Sequence, residues 1–503
     1  MDRITSLLLL VLAAPPTFAQ REDGPTGVLL RTDAVQPGYT LFQPLNNTST
    51  YLIDLDGNVV HRWKGEFAPG QSNYLLEDGS LLRACKDGED PFRAGGVGGR
   101  IQRVAPNGDL LWDYDLASEA LCQHHDIEPL PNGNVLALCW EARTRGEAVA
   151  LGRDPELLGE SLWNEVILEL EPVGTNGAEV VWRWSSFDHL VQDRDAEKPN
   201  FGKVDEHPHR IDINVLLERP RPTDAKLDGL AALGYGGDDE EEEDEERARD
   251  ARRRASEADW IHLNAVDLDP ETNRLVVSSR TLGEVWVIPY GTTTAEAAGP
   301  AGDLVARFGN PRAWHPGASS PQVLFAPHDV RWCEAPGGER HVMVFNNGEG
   351  RPGGNRSSSD EYELKGGGAE LVWSYGTGDG HEEFFSPIVS GATRLANGNT
   401  LICAGTTGRV LEVTPTGELA WSFRNPFPDD ARGGPGGEGP GDGPRRREGP
   451  PGGGPPEGGP PGGRPSGGRP HGSPGGPGGF MREGSLVRAE RYSAEHPGVK
   501  ALL

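Results

Sequence analysis

The chain has 503 residues, with 77 acidic against 48 basic side chains and a formal net charge of −29. A pI near 4.9 excludes sequence-nonspecific nucleic-acid binding and docking on anionic membranes, both of which need clustered Lys and Arg. Five Cys in so long a chain exclude a disulfide-built scaffold and leave at least one thiol unpaired; twelve Trp indicate a real core although only 35% of residues are apolar.

In chain order, the first segment carries Arg3, an apolar run from Leu7 to Ala14 and a small residue at Ala19 before a charged stretch. That pattern predicts a secretory signal over 1–19, too short to span a membrane. No Cys follows the cleavage point to carry a lipid, and no other segment approaches a transmembrane helix in length. The expected location is periplasmic or secreted.

Beyond it, short β-type runs alternate with Asp/Asn-Gly turns, the hairpin signal. One unit recurs as GNVVHRW (Gly57 to Trp63), GDLLWDY (Gly108 to Tyr114), GAEVVWRW (Gly177 to Trp184), GDLVARF (Gly302 to Phe308), GAELVWSY (Gly368 to Tyr375) and GELAWSF (Gly417 to Phe423). A second unit precedes each of the last five: LLEDGSLLRAC, LPNGNVLALC, LDPETNRLVVSSR, APGGERHVMVFNN and LANGNTLICAG. Six copies of one unit, with almost no helical periodicity, predict an all-β six-bladed β-propeller over 38–492. Two stacked sandwiches would not explain the sixfold recurrence. The recurring aromatics are blade-packing residues, and Cys85, Cys139 and Cys403, at equivalent strand positions, are small core residues.

Two insertions interrupt the repeats. One, over 219–257, contains nine consecutive acids from Asp238 to Glu246 followed by Arg-rich sequence; it reads as a solvated insertion, without the spaced Asp, Asn and Gly of a calcium loop. The other, over 433–479, is 22 Gly and 13 Pro among 47 residues with no collagen period. Such composition cannot bury enough surface to offset its chain entropy, which predicts a disordered loop. After it, Ser485 to Tyr492 alternates like a strand. The first copy of the repeat lacks a partner unit, so this tail is expected to share a blade with residues near Gly38 to Trp63 and close the ring.

Aligned on the hairpin Gly or its equivalent, His125, His262 and His328 fall at nearly the same place in three consecutive repeats. These are the second, third and fourth counted from the first second-type unit; Gln71 and Ser390 occupy the spot in the first and fifth. Innermost strands line a propeller's channel, so like-placed residues converge at one end of it. Three imidazoles aimed at one spot make a candidate site. His124 is expected to turn away from its neighbour by strand alternation, and His207 and His209 match no repeat position. Arg280 closes the strand after His262, and Asn264 adds an amide. Three imidazoles, a guanidinium and an amide form a donor-rich pocket suited to a sulfuryl or phosphoryl group. No carboxylate pair suited to glycoside chemistry is apparent.

HHD at 124–126, WIHLN at 260–264, SSR at 278–280 and PHD at 327–329, in that order, resemble the bacterial aryl-sulfate sulfotransferase family, six-bladed propellers of the periplasm. The resemblance runs from about Gly38 to Pro426 plus the final strand. It implies sulfuryl transfer from a small aromatic sulfate ester to a phenolic acceptor, with no nucleotide donor and no cofactor or metal. His328 would be the nucleophile that becomes sulfurylated and His125 the general acid/base, while His262, Asn264 and Arg280 would hold the sulfuryl oxygens. Asp329 or a backbone carbonyl would fix the His328 tautomer. Members of that family carry an N-terminal β domain, for which the roughly 18 residues between Ala19 and Gly38 leave no room. Cys122 and Cys333 lie near His125 and His328 in sequence without forming a clear pair. Three readings compete: a sulfate-ester hydrolase, a His-ligated metal enzyme (opposed by Arg280, which a dication repels) and a non-catalytic binding propeller.

Overall fold

A computed structural model describes residues 25–86, 92, 94–215, 257–335, 337–378, 382–427, 429 and 484–503. The expected signal at 1–19, the Gly/Pro-rich segment at 433–479 and all but Glu257 of the acidic insertion at 219–257 lie outside the described residues. Six small antiparallel sheets follow one another as a six-bladed propeller. Each begins with a strand that contacts the first strands of neighbouring sheets and so lines the axis. From the second blade to the sixth these inner strands are Pro69–Leu75, Leu121–Pro129, Leu263–Asp269, Pro327–Glu334 and Gly391–Arg394.

The first blade takes its inner strand from the other end of the chain. Leu486–Tyr492 pairs antiparallel with Tyr39–Pro44, as the alternation of the tail predicts. Counted round the closed ring, the three histidine-bearing blades are therefore the third, fourth and fifth. The ring also takes a strand from before Gly38: Gly27–Arg31 pairs with Leu419–Arg424 as a fifth, outer strand of the last blade. Both chain ends thus cover sheet edges that would otherwise stay unpaired.

The recurring unit of a Gly turn, apolar residues and aromatics builds the outer strands, and where it carries a Trp that residue does more than fill space. Trp112 Nε1 donates to the Gly177 carbonyl (2.8 Å), Trp373 Nε1 to Pro415 (3.0 Å) and Trp421 Nε1 to Leu55 (3.0 Å). Each bond runs from one blade to a turn of the next, so one residue type at one repeat position buries a large ring and clips neighbouring sheets together. Cys139 and Cys403 lie in the inter-sheet clusters, and all five Cys are buried with none in a disulfide.

An inner strand is an edge whose backbone N–H groups need partners. Side chains of the adjacent blade supply them. Ile127 N–H donates to Ser72 Oγ (3.2 Å), Val266 N–H to Asp126 Oδ2 (3.2 Å), Trp332 N–H to Asp267 Oδ2 (2.6 Å) and Ala392 N–H to Asp329 Oδ2 (3.2 Å). The pairing of the inner strands of blades two to five with their neighbours also skips residues at the axial end, between Pro69 and Asn73, between Gln123 and Ile127, at Leu263/Ala265 and between His328 and Arg331. Such bulges re-aim side chains, and His125, Asn264 and His328 lie at them.

Candidate active site

At or beside the bulges lie non-glycine residues with positive φ, namely Gln71 (83°), His125 (49°), His262 (55°) and Asp329 (44°); Ser390 (84°) lies just before the inner strand of the last blade. A left-handed residue is sterically costly outside glycine, and four at the aligned position, with Asp329 one residue past it, mark a level of the ring where geometry is held against that cost. The result is convergence: the His125 and His262 ring centroids are 4.6 Å apart and those of His125 and His328 are 5.9 Å apart. Beside them a hollow of about 260 Å³, counting the open solvent it includes, is bounded by residues from all six inner segments, among them Gln71, Asn264, His328, Ser390 and Arg488. His125, His262 and Arg280 are not among its walls.

Each ring is oriented from behind. His328 Nδ1 lies 2.8 Å from Asn347 Oδ1, and Asn347 Nδ2 donates to the carbonyls of Ser386 (2.5 Å) and Val389 (3.2 Å). Those two bonds fix the amide with its oxygen toward the ring, so Nδ1 carries the proton and Nε2 keeps its lone pair. Nε2 is buried without a hydrogen-bond partner. Asn347, not Asp329 or a backbone carbonyl, therefore fixes this tautomer; sequence inspection missed it because it lies 19 residues away, just past the end of the next strand. Asp329 is turned instead to Arg488, Arg331 and the Ala392 N–H. Burial pushes the His328 pKa well below its ordinary value, helped by the Arg280 and His262 charges.

His125 Nε2 is likewise buried and unpartnered. Its pKa is also driven well down, first by burial and then by His262, His124, His328 and Arg280. The His125 ring occupies the space a Cβ on Gly96 would need, and its backbone N–H donates to the Gly96 carbonyl (2.6 Å). His124 does not turn away as alternation predicts: the positive φ at His125 breaks the alternation, and the two Nδ1 atoms lie 3.0 Å apart. His262 Nδ1 bonds the Asp259 carboxylate.

Asn264 Nδ2 donates to the Pro327 carbonyl (2.7 Å), next to His328, while its Oδ1 accepts from Ser278 Oγ (2.5 Å). Arg280 is held by the Pro387 carbonyl (3.1 Å) and Glu349 (2.8 Å), and its N–H bonds the His262 carbonyl (3.0 Å). The return of that hairpin brings the guanidinium close enough to act on both His125 and His328. His209 stays apart, bonded to the Leu304 carbonyl (2.9 Å). Below the imidazoles, Arg488 of the closing strand bridges Asp126 (3.1 Å) and Asp329 (3.0 Å), while Arg331 bonds Asp329 (3.1 Å) and the Tyr74 hydroxyl (3.0 Å). Among the described residues, no group of three or more His, Cys, Asp or Glu is arranged to hold a metal ion.

Comparison with known proteins follows the same line. No curated protein matches the sequence. Among solved structures, similar chains include a protein of unknown function from Bacteroides caccae, at TM-score 0.41 and 12% identity over 78% of this chain and 94% of that one. The periplasmic gluconolactonase of Pseudomonas aeruginosa gives TM-score 0.36 and 13% identity over 78% and 85%. Virginiamycin B lyase from Staphylococcus aureus gives 0.33 and 12% over 81% and 86%. Likenesses this distant carry no argument about activity. The family model described as Arylsulfotransferase (ASST) matches residues 32–420, a span reaching from just after the outer N-terminal strand into the last strand of the sixth blade, and the chain belongs to the arylsulfotransferase family.

Proposed function

We propose that this protein transfers a sulfuryl group from a phenolic sulfate ester to a phenolic acceptor through a sulfohistidine on His328, after export to the periplasm. The observation that carries the reading is the state of two buried nitrogens. His328 Nε2 has a free lone pair fixed by Asn347, and His125 Nε2, also unpartnered, stands beside it. A neutral imidazole kept from protonation by burial is a competent nucleophile at neutral pH.

In the first half-reaction the His328 Nε2 lone pair attacks sulfur in line. The S–O bond to the aryl group breaks, and His125 delivers a proton to the departing oxygen. In the second, His125 takes the proton of the acceptor phenol, whose oxygen attacks sulfur and releases His328. His262, Asn264 and Arg280 supply hydrogen-bond donors for the charge that develops on the sulfuryl oxygens. Arg280 is preset for this by its bonds to Pro387 and Glu349, so little reorganisation is needed.

The test is turnover of a chromogenic phenyl sulfate with and without added phenol, on wild type and His328→Ala. Phenol-dependent turnover abolished in His328→Ala is the expected result. Full-rate turnover without phenol reassigns the protein as a sulfate-ester hydrolase. Turnover unaffected by His328→Ala refutes the nucleophile, and no turnover by wild type refutes sulfuryl transfer.

A further inference from the structure

Behind His125 lies a second tier of groups that the proposed reaction has not used. His124 is fully buried, stacked on Trp140 with ring centroids 4.0 Å apart and planes within 6°. Its Nδ1 lies 3.0 Å from His125 Nδ1, and its Nε2 lies 2.9 Å from Glu165 Oε2. The other carboxyl oxygen of Glu165, Oε1, accepts from the Leu263 N–H at 2.9 Å. Three titratable groups thus form an unbroken line ending at His125 Nε2, which has no hydrogen-bond partner.

A nitrogen-to-nitrogen contact holds one proton, so the tautomers of the two histidines are coupled: whichever Nδ1 carries the proton, the other must accept it. Building a continuous buried line of this kind costs desolvation at every member, and it persists where each polar atom is satisfied. We propose that His124 and Glu165 are relay residues acting through His125, which reverse its tautomer so that it is a proton donor in one half-reaction and an acceptor in the other.

The steps balance. At rest Glu165 Oε2–H donates to His124 Nε2, His124 Nδ1–H donates to His125 Nδ1, and His125 Nε2 carries the proton that faces the site. When Nε2–H passes to the leaving phenolate, His125 Nδ1 takes the His124 proton and His124 Nε2 takes the Glu165 proton. Glu165 is then a carboxylate, held by the Leu263 N–H and His124 Nε2–H, and neither histidine has become an imidazolium. Arrival of the acceptor phenol runs the same line backwards. The directions of the pKa shifts agree with the resting state. Burial, reinforced by Asp259, raises Glu165 well above its ordinary value, and burial lowers His124 to about 3. The charged or titratable groups facing the line are Asp259, His262, Arg280 and His328.

This inference rests on the sulfuryl-transfer reading, and the experiment separates the two. Glu165→Gln keeps the carbonyl that accepts from Leu263 N–H but cannot surrender a proton; His124→Gln cuts the next link. Single-turnover release of phenol from full-length protein is compared for two donors, phenyl sulfate and 4-nitrophenyl sulfate. The first leaving group needs a proton at neutral pH and the second does not. Both variants are expected to lose about 100-fold with phenyl sulfate, the lower end of general acid/base contributions, and less than about threefold with the nitrophenyl ester. A purely structural defect would slow both donors alike, and that outcome, or no slowing, overturns the relay. Independently of activity, ¹⁵N-histidine-labelled wild type is expected to show a through-hydrogen-bond coupling between the two Nδ1 nuclei, and its absence also overturns the relay. Wild type that releases phenol from neither ester overturns the transfer reading on which it rests.

Discussion

Arg488 ties ring closure to the site, and replacing it tests both at once. It lies on the C-terminal strand that completes the first blade, is 5% exposed, and donates to Asp126 and Asp329 at 3.1 and 3.0 Å. Arg488→Met keeps most of the stem volume but leaves two buried carboxylates without their shared cation. Breaking a buried ion pair from one side costs about 3–5 kcal/mol. Here Arg331 still bonds Asp329, and the Ile127, Val266 and Ala392 N–H groups still bond the two carboxylates. The expected loss therefore sits at the low end, about 3 kcal/mol, including a small contribution from the guanidinium lying 5.0 Å from the Tyr74 ring centroid. Urea unfolding at pH 7 of wild type, Arg488→Met, Asp329→Asn and the double variant measures it. Neutralising Asp329 removes part of the uncompensated charge, so the double variant should be more stable than the sum of single losses by at least about 1 kcal/mol. Strictly additive losses, or a cost below about 1 kcal/mol for Arg488→Met, would refute the picture of a cation shared between blades.

Asn347→Leu removes the only acceptor shown for His328 Nδ1; a lost buried hydrogen bond of about 1–3 kcal/mol corresponds to roughly a 10- to 100-fold fall in kcat/KM for an aryl sulfate. Gly96→Ala places a methyl where the His125 ring lies, and a displaced ring should cost about 100-fold in activity while the circular dichroism spectrum is retained. Because His125 and His328 are held well below the ordinary histidine value, protonation that would block attack is postponed to lower pH, and kcat/KM should stay level as pH falls from 7 through 6. Stability behaves oppositely: the unfolded chain binds protons that buried His124 refuses until about pH 3. The contribution of His124 to the unfolding free energy should therefore decrease as pH is lowered from about 6.5, as urea titrations of wild type and His124→Gln at several pH values would show.

The sixfold recurrence of a Gly turn followed by apolar and then aromatic residues determined the architecture from local information, since hairpin turns, alternation and aromatics on each outer strand are properties of short segments. So did the approximate register of His125, His262 and His328, because similar spacing from a hairpin turn places residues at similar depth in any radially repeated fold. Even the closing strand was legible, from an unpartnered repeat at one end and an alternating tail at the other. What the spacing could not contain was the orientation of the rings. Asn347 holds His328 from just past the end of a neighbouring strand, Glu165 reaches His124 across the sheet, and Gly96 makes room for His125 from the preceding blade. The strand Gly27–Arg31 joins the sixth blade, nearly 400 residues away in sequence. The alternation that should have turned His124 outward failed because bulges with positive φ reset the side-chain period at the axis. A strand's pattern records which face is apolar; only the packed ring decides where a bulge redirects a side chain, since that depends on which donors and acceptors the neighbouring blades bring to meet it.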